Sequence, residues 1–184
     1  MKRLLYPILL AVAVLTSAPF VSAGDKEESM DERVKDAIDL FQSRDSSMKE
    51  LFQKSYGYAV FPDIAKGAIG IGGAHGKGLV FEKGKLIGKA SLSQATIGFQ
   101  LGGQVYAEVI FFEKQSALED LKANEFTFSA QVSAVAAAEG ASANARYRNR
   151  VAVFTLAKGG LMYEASIGGQ KFKFKPISAA DPGK

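Results

Sequence analysis

Two runs of alternating basic residues are the clearest carriers of chemistry in this chain. Lys171, Lys173 and Lys175 alternate with Phe172 and Phe174, and Arg146, Arg148 and Arg150 alternate with Tyr147 and Asn149. On a strand, a period of two puts each trio on one face and turns the phenylalanines toward the core. Such a face is either a solvated edge, charged against aggregation, or a surface for phosphate or carboxylate groups. Arginine suits the second use because its planar fork donates two hydrogen bonds to one phosphate. Lys77 joins these candidates from the glycine run Gly70–Gly78, whose backbone N–H groups could form a small anion nest. The run is not a nucleotide loop. A Walker loop requires Gly-Lys-Ser/Thr, and Gly78 follows Lys77; a dinucleotide loop must open a helix, and a strand pattern follows here. The anion-binding candidates are therefore Lys77, Arg146, Arg148, Arg150, Lys171, Lys173 and Lys175.

Catalysis has little to draw on. The 184 residues contain no cysteine and one histidine, His75. That composition removes disulfides, thiolate metal sites, a thiol nucleophile and a multi-histidine metal centre. No enzymatic activity, metal or cofactor is expected, and a hydrolase would have to rest on His75 or on a carboxylate pair without a motif. Nucleic acid is not an expected partner either, because the charge is small and no recognition motif is present.

The elements that must position the basic residues follow a short leader. Lys2 and Arg3 precede the apolar stretch Leu4–Val14, and Val21-Ser22-Ala23 supplies the small residues of a cleavage site. This pattern predicts a secretory signal peptide over residues 1–23, cut before Gly24, and an exported periplasmic or secreted domain over 24–184. Without a cysteine at the cut, no lipoprotein anchor is expected. The formal charge of +4 falls to +2 on cleavage, and it is unevenly spread: −4 over residues 24–63 and +6 over 64–184.

Ser29 and Glu32 form a capping box, and Val34, Ala37, Ile38 and Phe41 recur on one helical face. Ser47 and Glu50 suggest a second box, so helices are predicted at about 30–43 and 47–55. Their acidic outer faces favour packing on a sheet over lying on an anionic membrane. Ser116 and Glu119 predict a third short helix. The remainder reads as short β strands: Tyr58–Phe61 stopped by Pro62, the glycine run, Leu79–Phe81, a turn at Glu82–Lys85, Thr96–Gly103, Val105–Phe112, Phe126–Val135, Val151–Leu156, Leu161–Ile167 and Lys171–Lys175. The expected fold is α+β, mostly antiparallel β in a sandwich or barrel-like form, with short N-terminal helices packed on it.

In this order the chain resembles the SYLF domain family. The resemblance is carried by Tyr58-Ala59-Val60-Phe61-Pro62, the glycines from Gly67 to Gly78, Thr96–Gly103, Ala134–Gly140 and Lys158-Gly159-Gly160-Leu161-Met162-Tyr163. It spans roughly residues 30–176. It implies a compact non-enzymatic domain that engages phosphoinositides or related anionic lipids, with actin binding in eukaryotic members. Two departures stand out. The amphipathic N-terminal segment of lipid-binding eukaryotic members is replaced here by the leader and acidic helices, and Ala90-Ser91 stands where members often carry Trp-Ser. The expected partner is an anionic lipid or membrane surface at the cell envelope; the alternative is a structural or protein-interaction role with an envelope protein partner and no lipid affinity.

Overall fold

The computed structural model describes residues 28–124, 135–136, 138–143, 147–160 and 169–177. Two strands dominate it. β1 runs from Gly57–Glu82 and β2 from Lys85–Phe112, paired antiparallel along nearly their whole length. The breaks expected at Pro62 and among the glycines are irregularities within continuous strands. The β1–β2 register shifts between Phe61 and Ile64, Ile69 and Ile71, and Val80 and Phe81. Pro62 lies in the first shift, where its missing N–H costs no ladder bond. Each shift bends the ribbon, so what reads as several short strands is one long, curved pair. The turn between them is the expected one. Lys83 (φ 47°) and Gly84 (φ 76°) are both left-handed, as a two-residue hairpin that follows the strand twist requires.

The far edge of β2 is shared. β5 (Gln170–Pro176) pairs with residues 88–94 and β4 (Val151–Gly160) with 104–112, both antiparallel. β3 (Val135–Ala136) lies parallel to β4. The expected strands Phe126–Val135, apart from Val135 in β3, and Leu161–Ile167 lie outside the described residues.

The curved hairpin returns to its own root. Lys83 N–H donates to the Tyr56 carbonyl at 2.9 Å, and Tyr56 N–H donates to the Phe112 carbonyl at 3.0 Å. Glycine makes the crossing close enough. A Cβ on Gly78 would collide with the Val60 carbonyl and lie 2.8 Å from the Phe61 ring. Backbone cannot retreat as a flexible side chain can, so Gly78→Ala should destabilise the domain by about 1–3 kcal/mol, the usual cost of overpacking. A urea midpoint that falls with an unchanged slope would show it.

Both faces of the sheet are covered. Inside the curl, Phe61, Ile64, Leu92, Ile110, Phe112 and Phe172 pack with Ala117, Leu118 and Leu121 of α3 (Gln115–Lys122). On the outer face, Val34, Ala37 and Phe41 of α1 (Met30–Arg44) and Met48 of α2 (Met48–Lys54) cover Tyr58, Val60, Val109, Phe111 and Phe154. Double coverage explains why Tyr58–Phe61 and Val109–Phe112 are continuously apolar instead of alternating.

The three helices are where predicted, but only one is capped as predicted. Ser29 Oγ accepts from Glu32 N–H at 3.2 Å, and Glu32 Oε2 accepts from Ser29 N–H at 2.9 Å. Ser47 makes no cap; its hydroxyl bonds Asp45 and Ser142 instead. α3 starts after Lys114, and Ser116 Oγ accepts from Arg150. In both places a tertiary partner competes successfully for the serine hydroxyl.

Candidate anion-binding face

The lysine trio of β5 lands as expected. Lys171, Lys173 and Lys175 are exposed, while Phe172 is 2 % exposed in the inner core and Phe174 is half-buried against it. Antiparallel pairing then sets what stands beside them. Across β1, β2 and β5 the rows read Leu79–Lys89–Lys175, Lys77–Ser91–Lys173 and His75–Ser93–Lys171. Residues directly opposite in an antiparallel ladder share a face, so Lys77, Lys89, Lys171, Lys173 and Lys175 all point outward around Ser91. Lys77 is thus joined to the β5 trio although about 95 residues separate them in sequence.

Along one side of this grid runs a groove of ≈ 610 Å³. Its lining includes His75, Lys77, Lys89, Ser91, Lys173 and Lys175, and Met30 at the start of α1 contributes an apolar lip. Among the described residues, Lys77, Lys171, Lys173 and Lys175 make no ion pair. Elsewhere the pattern differs. Asp63 holds Arg33 of α1 at 3.4 Å and Lys158 of β4 at 3.0 Å, and Lys122 binds Glu82 and Glu119, each at 3.0 Å. Lys89 stands directly opposite Lys175, so the register concentrates positive charge at this end of the grid.

The arginine run does not form a matching stripe. Arg148 and Val151 close a tight turn through mutual backbone hydrogen bonds of 2.8 and 3.1 Å, with Asn149 (φ 51°) and Arg150 (φ 67°) left-handed between them. A turn destroys the period-two alternation that a strand would have provided. Arg150 is also occupied: its guanidinium donates to Ser116 Oγ at 2.9 Å and to Asp120 Oδ2 at 2.8 Å, tying the turn before β4 to α3. Arg148 is exposed, and Arg146 lies outside the described residues. Arg150 is therefore a structural tie, and the one-face arrangement expected of Arg148 and Arg150 is replaced by the turn. Sequence reasoning also missed Lys89 and Ser91. Each is ordinary alone, and only the register of β2 between β1 and β5 gives them neighbours.

A second polar group lies inside the curl. Glu108 is fully buried; Gln170 Nε2 donates to its Oε2 at 3.1 Å, and its Oε1 has no partner among the described residues. Burial pushes its carboxyl up to about 8 although the Gln170 bond pulls the other way, so it is largely protonated at neutral pH. Tyr106, two residues earlier on the same face, is raised by burial and then by the Glu108 charge. Gln170 immediately precedes the lysine trio, so this interior bond anchors the start of β5. Groups of three or more metal-ligating side chains are absent among the described residues.

A curved sheet clad by helices, with exposed lysines of three neighbouring strands aligned beside α1, defines an α+β domain. Residues 93–176 match the family described as Ysc84: Las17-binding protein actin regulator. The chain thus carries a domain of this family, the SYLF family its motifs resemble. The matched stretch includes the β5 lysines but stops short of Lys77 and Ser91. Beta cell expansion factor A of Aeromonas veronii is 30% identical over 138 residues, which is 73% of this chain and 51% of that protein. The chain spans about half the length of that relative.

Proposed function

We propose that this chain is a non-enzymatic, exported domain that binds anionic lipid at the cell envelope through the lysine grid of β1, β2 and β5. The observation that carries the reading is the convergence of Lys77, Lys89, Lys173 and Lys175 on one groove, with three of the four making no ion pair among the described residues. Lipid binding as a class comes from the family resemblance; the leader supports export and a periplasmic or secreted location. The family description names actin regulation, but an exported chain would meet acidic envelope components instead.

The test is flotation of the purified protein with vesicles of phosphatidylcholine alone and with added phosphatidylglycerol. Binding should require the anionic lipid and weaken steeply between about 50 and 500 mM salt, because the Debye length shrinks to a few ångströms over that range. Absence of binding at the lowest salt would overturn the reading. In-cell crosslinking that captured one envelope protein, together with failure to bind vesicles, would move the function to protein interaction.

A further inference from the structure

The grid has a centre, and the centre is not a lysine. Ser91 sits on the middle strand with Lys77 directly opposite on β1 and Lys173 directly opposite on β5. Lys89 and Lys175 form the next row. Ser91 is half-buried, lines the groove, and its hydroxyl makes no hydrogen bond with any described residue. The flanking strands are two strand spacings apart, about 9.5 Å. A lysine stem is long enough for both ammonium groups to lean over the serine from either side. The arrangement offers one short neutral donor at the floor and several cations at the rim.

We infer that the Ser91 row is a seat for a single phosphate monoester. This rests on the reading of the lysine grid as the anion-binding face and narrows what that face selects. A monoester phosphate has three terminal oxygens and a charge of about −1.5 to −2 at neutral pH. One oxygen accepts from Ser91 Oγ, and the others face Lys77 and Lys173, so the dianion is matched in both charge and acceptor number. A phosphodiester has two such oxygens and one charge, and fills half of the seat. A carboxylate likewise offers two oxygens and one charge. A purely solvated or diffuse cationic surface would not distinguish these groups at equal charge density.

Monoester phosphates occur on lipid headgroups and on small soluble molecules, and one experiment separates the two sources. Affinity of the purified protein is measured for vesicles carrying phosphatidic acid and for vesicles carrying phosphatidylglycerol, matched in surface charge. Inorganic phosphate and glycerol 3-phosphate are titrated alone and as competitors. Wild type should prefer the monoester vesicles by about tenfold, the size of one charge-assisted hydrogen bond. Ser91→Ala keeps every charge and should bind both vesicles at the weaker level, while Ser91→Thr, which restores the hydroxyl, should recover the preference.

Equal binding of both vesicles by wild type, or a preference that survives in Ser91→Ala, would overturn the inference while leaving the anionic-lipid reading intact. Binding of glycerol 3-phosphate that is lost in Ser91→Ala, with no binding to any vesicle, would support the seat and remove the membrane from the proposed function.

Discussion

Replacing Asp45 by alanine should cost this domain about 3 kcal/mol, read as a lower urea midpoint at neutral pH, because one buried and three part-buried donors lose their acceptor at once. Asp45 has no exposed surface and follows α1 directly. Its Oδ1 accepts from Ser47 N–H at 3.1 Å, from the Ser47 hydroxyl and from Gly140 N–H at 3.3 Å, and its Oδ2 accepts from Ser142 N–H at 2.6 Å. It therefore joins the α1–α2 corner to the 138–143 segment. Burial alone would raise its carboxyl, but the hydrogen bonds from Ser47 and Ser142 outweigh burial and hold it below the ordinary aspartate range. The sign follows directly. The stabilisation is fully present above the unfolded value near 3.9 and is lost as pH falls below it toward the lower folded value. The difference between wild type and Asp45→Ala should accordingly be constant from pH 5 upward and shrink in acid. Asp45→Asn keeps one acceptor and should fall between the two.

The second large effect has the opposite pH dependence. Glu108 has its folded value raised from 4.5 to about 8 by burial, so between those limits the folded state holds a proton that the unfolded chain has released. Stability then falls as pH rises through that window, by up to about 1.4 kcal/mol per unit. Glu108→Gln preserves shape and the neutral state. It should remove this slope, gain on wild type steadily from about pH 5 to 8, and hold a constant advantage above pH 8. Urea titrations at several pH values read this directly; parallel curves for wild type and variant would mean that Glu108 is not buried as described. Since Gln170 both donates to Glu108 and begins β5, the lysine trio rests on the same interior contact.

These two residues show where the sequence is legible and where it is not. Local patterns were readable. The Ser29–Glu32 box, the Val34–Phe41 stripe, the Lys83-Gly84 turn and the Lys/Phe alternation of β5 each depend on neighbours a few residues away, and each appears as expected. The α+β architecture with N-terminal helices follows from them. Continuity of the long strands was not readable. Pro62 and the glycines normally punctuate strands, and only tertiary pairing shows them absorbed as register shifts and close crossings. The Arg148–Arg150 alternation misled for a related reason: period two in sequence is a strand property only if the backbone is extended, and here two left-handed residues turn it.

The candidate site was half legible. Lys77 and the β5 trio were identified by type and spacing, but Lys89 and Ser91 become significant only through register. No local rule sets a register between strands about 80 residues apart. Asp45 and Glu108 carried no signal at all, because an acidic residue in a polar loop and one among strand residues look the same whether buried or exposed.

The central claim is that the anion is held by the β1–β2–β5 lysines and not by the arginine turn. The most direct measurement compares flotation of two charge-reversed proteins with anionic vesicles at low salt. Lys77, Lys173 and Lys175 changed together to Glu should abolish binding while leaving the urea midpoint near that of wild type, since none of the three makes an ion pair among the described residues. Arg148→Glu should leave most of the binding in place. Retained binding in the lysine variant, with loss in the arginine variant, would contradict the account.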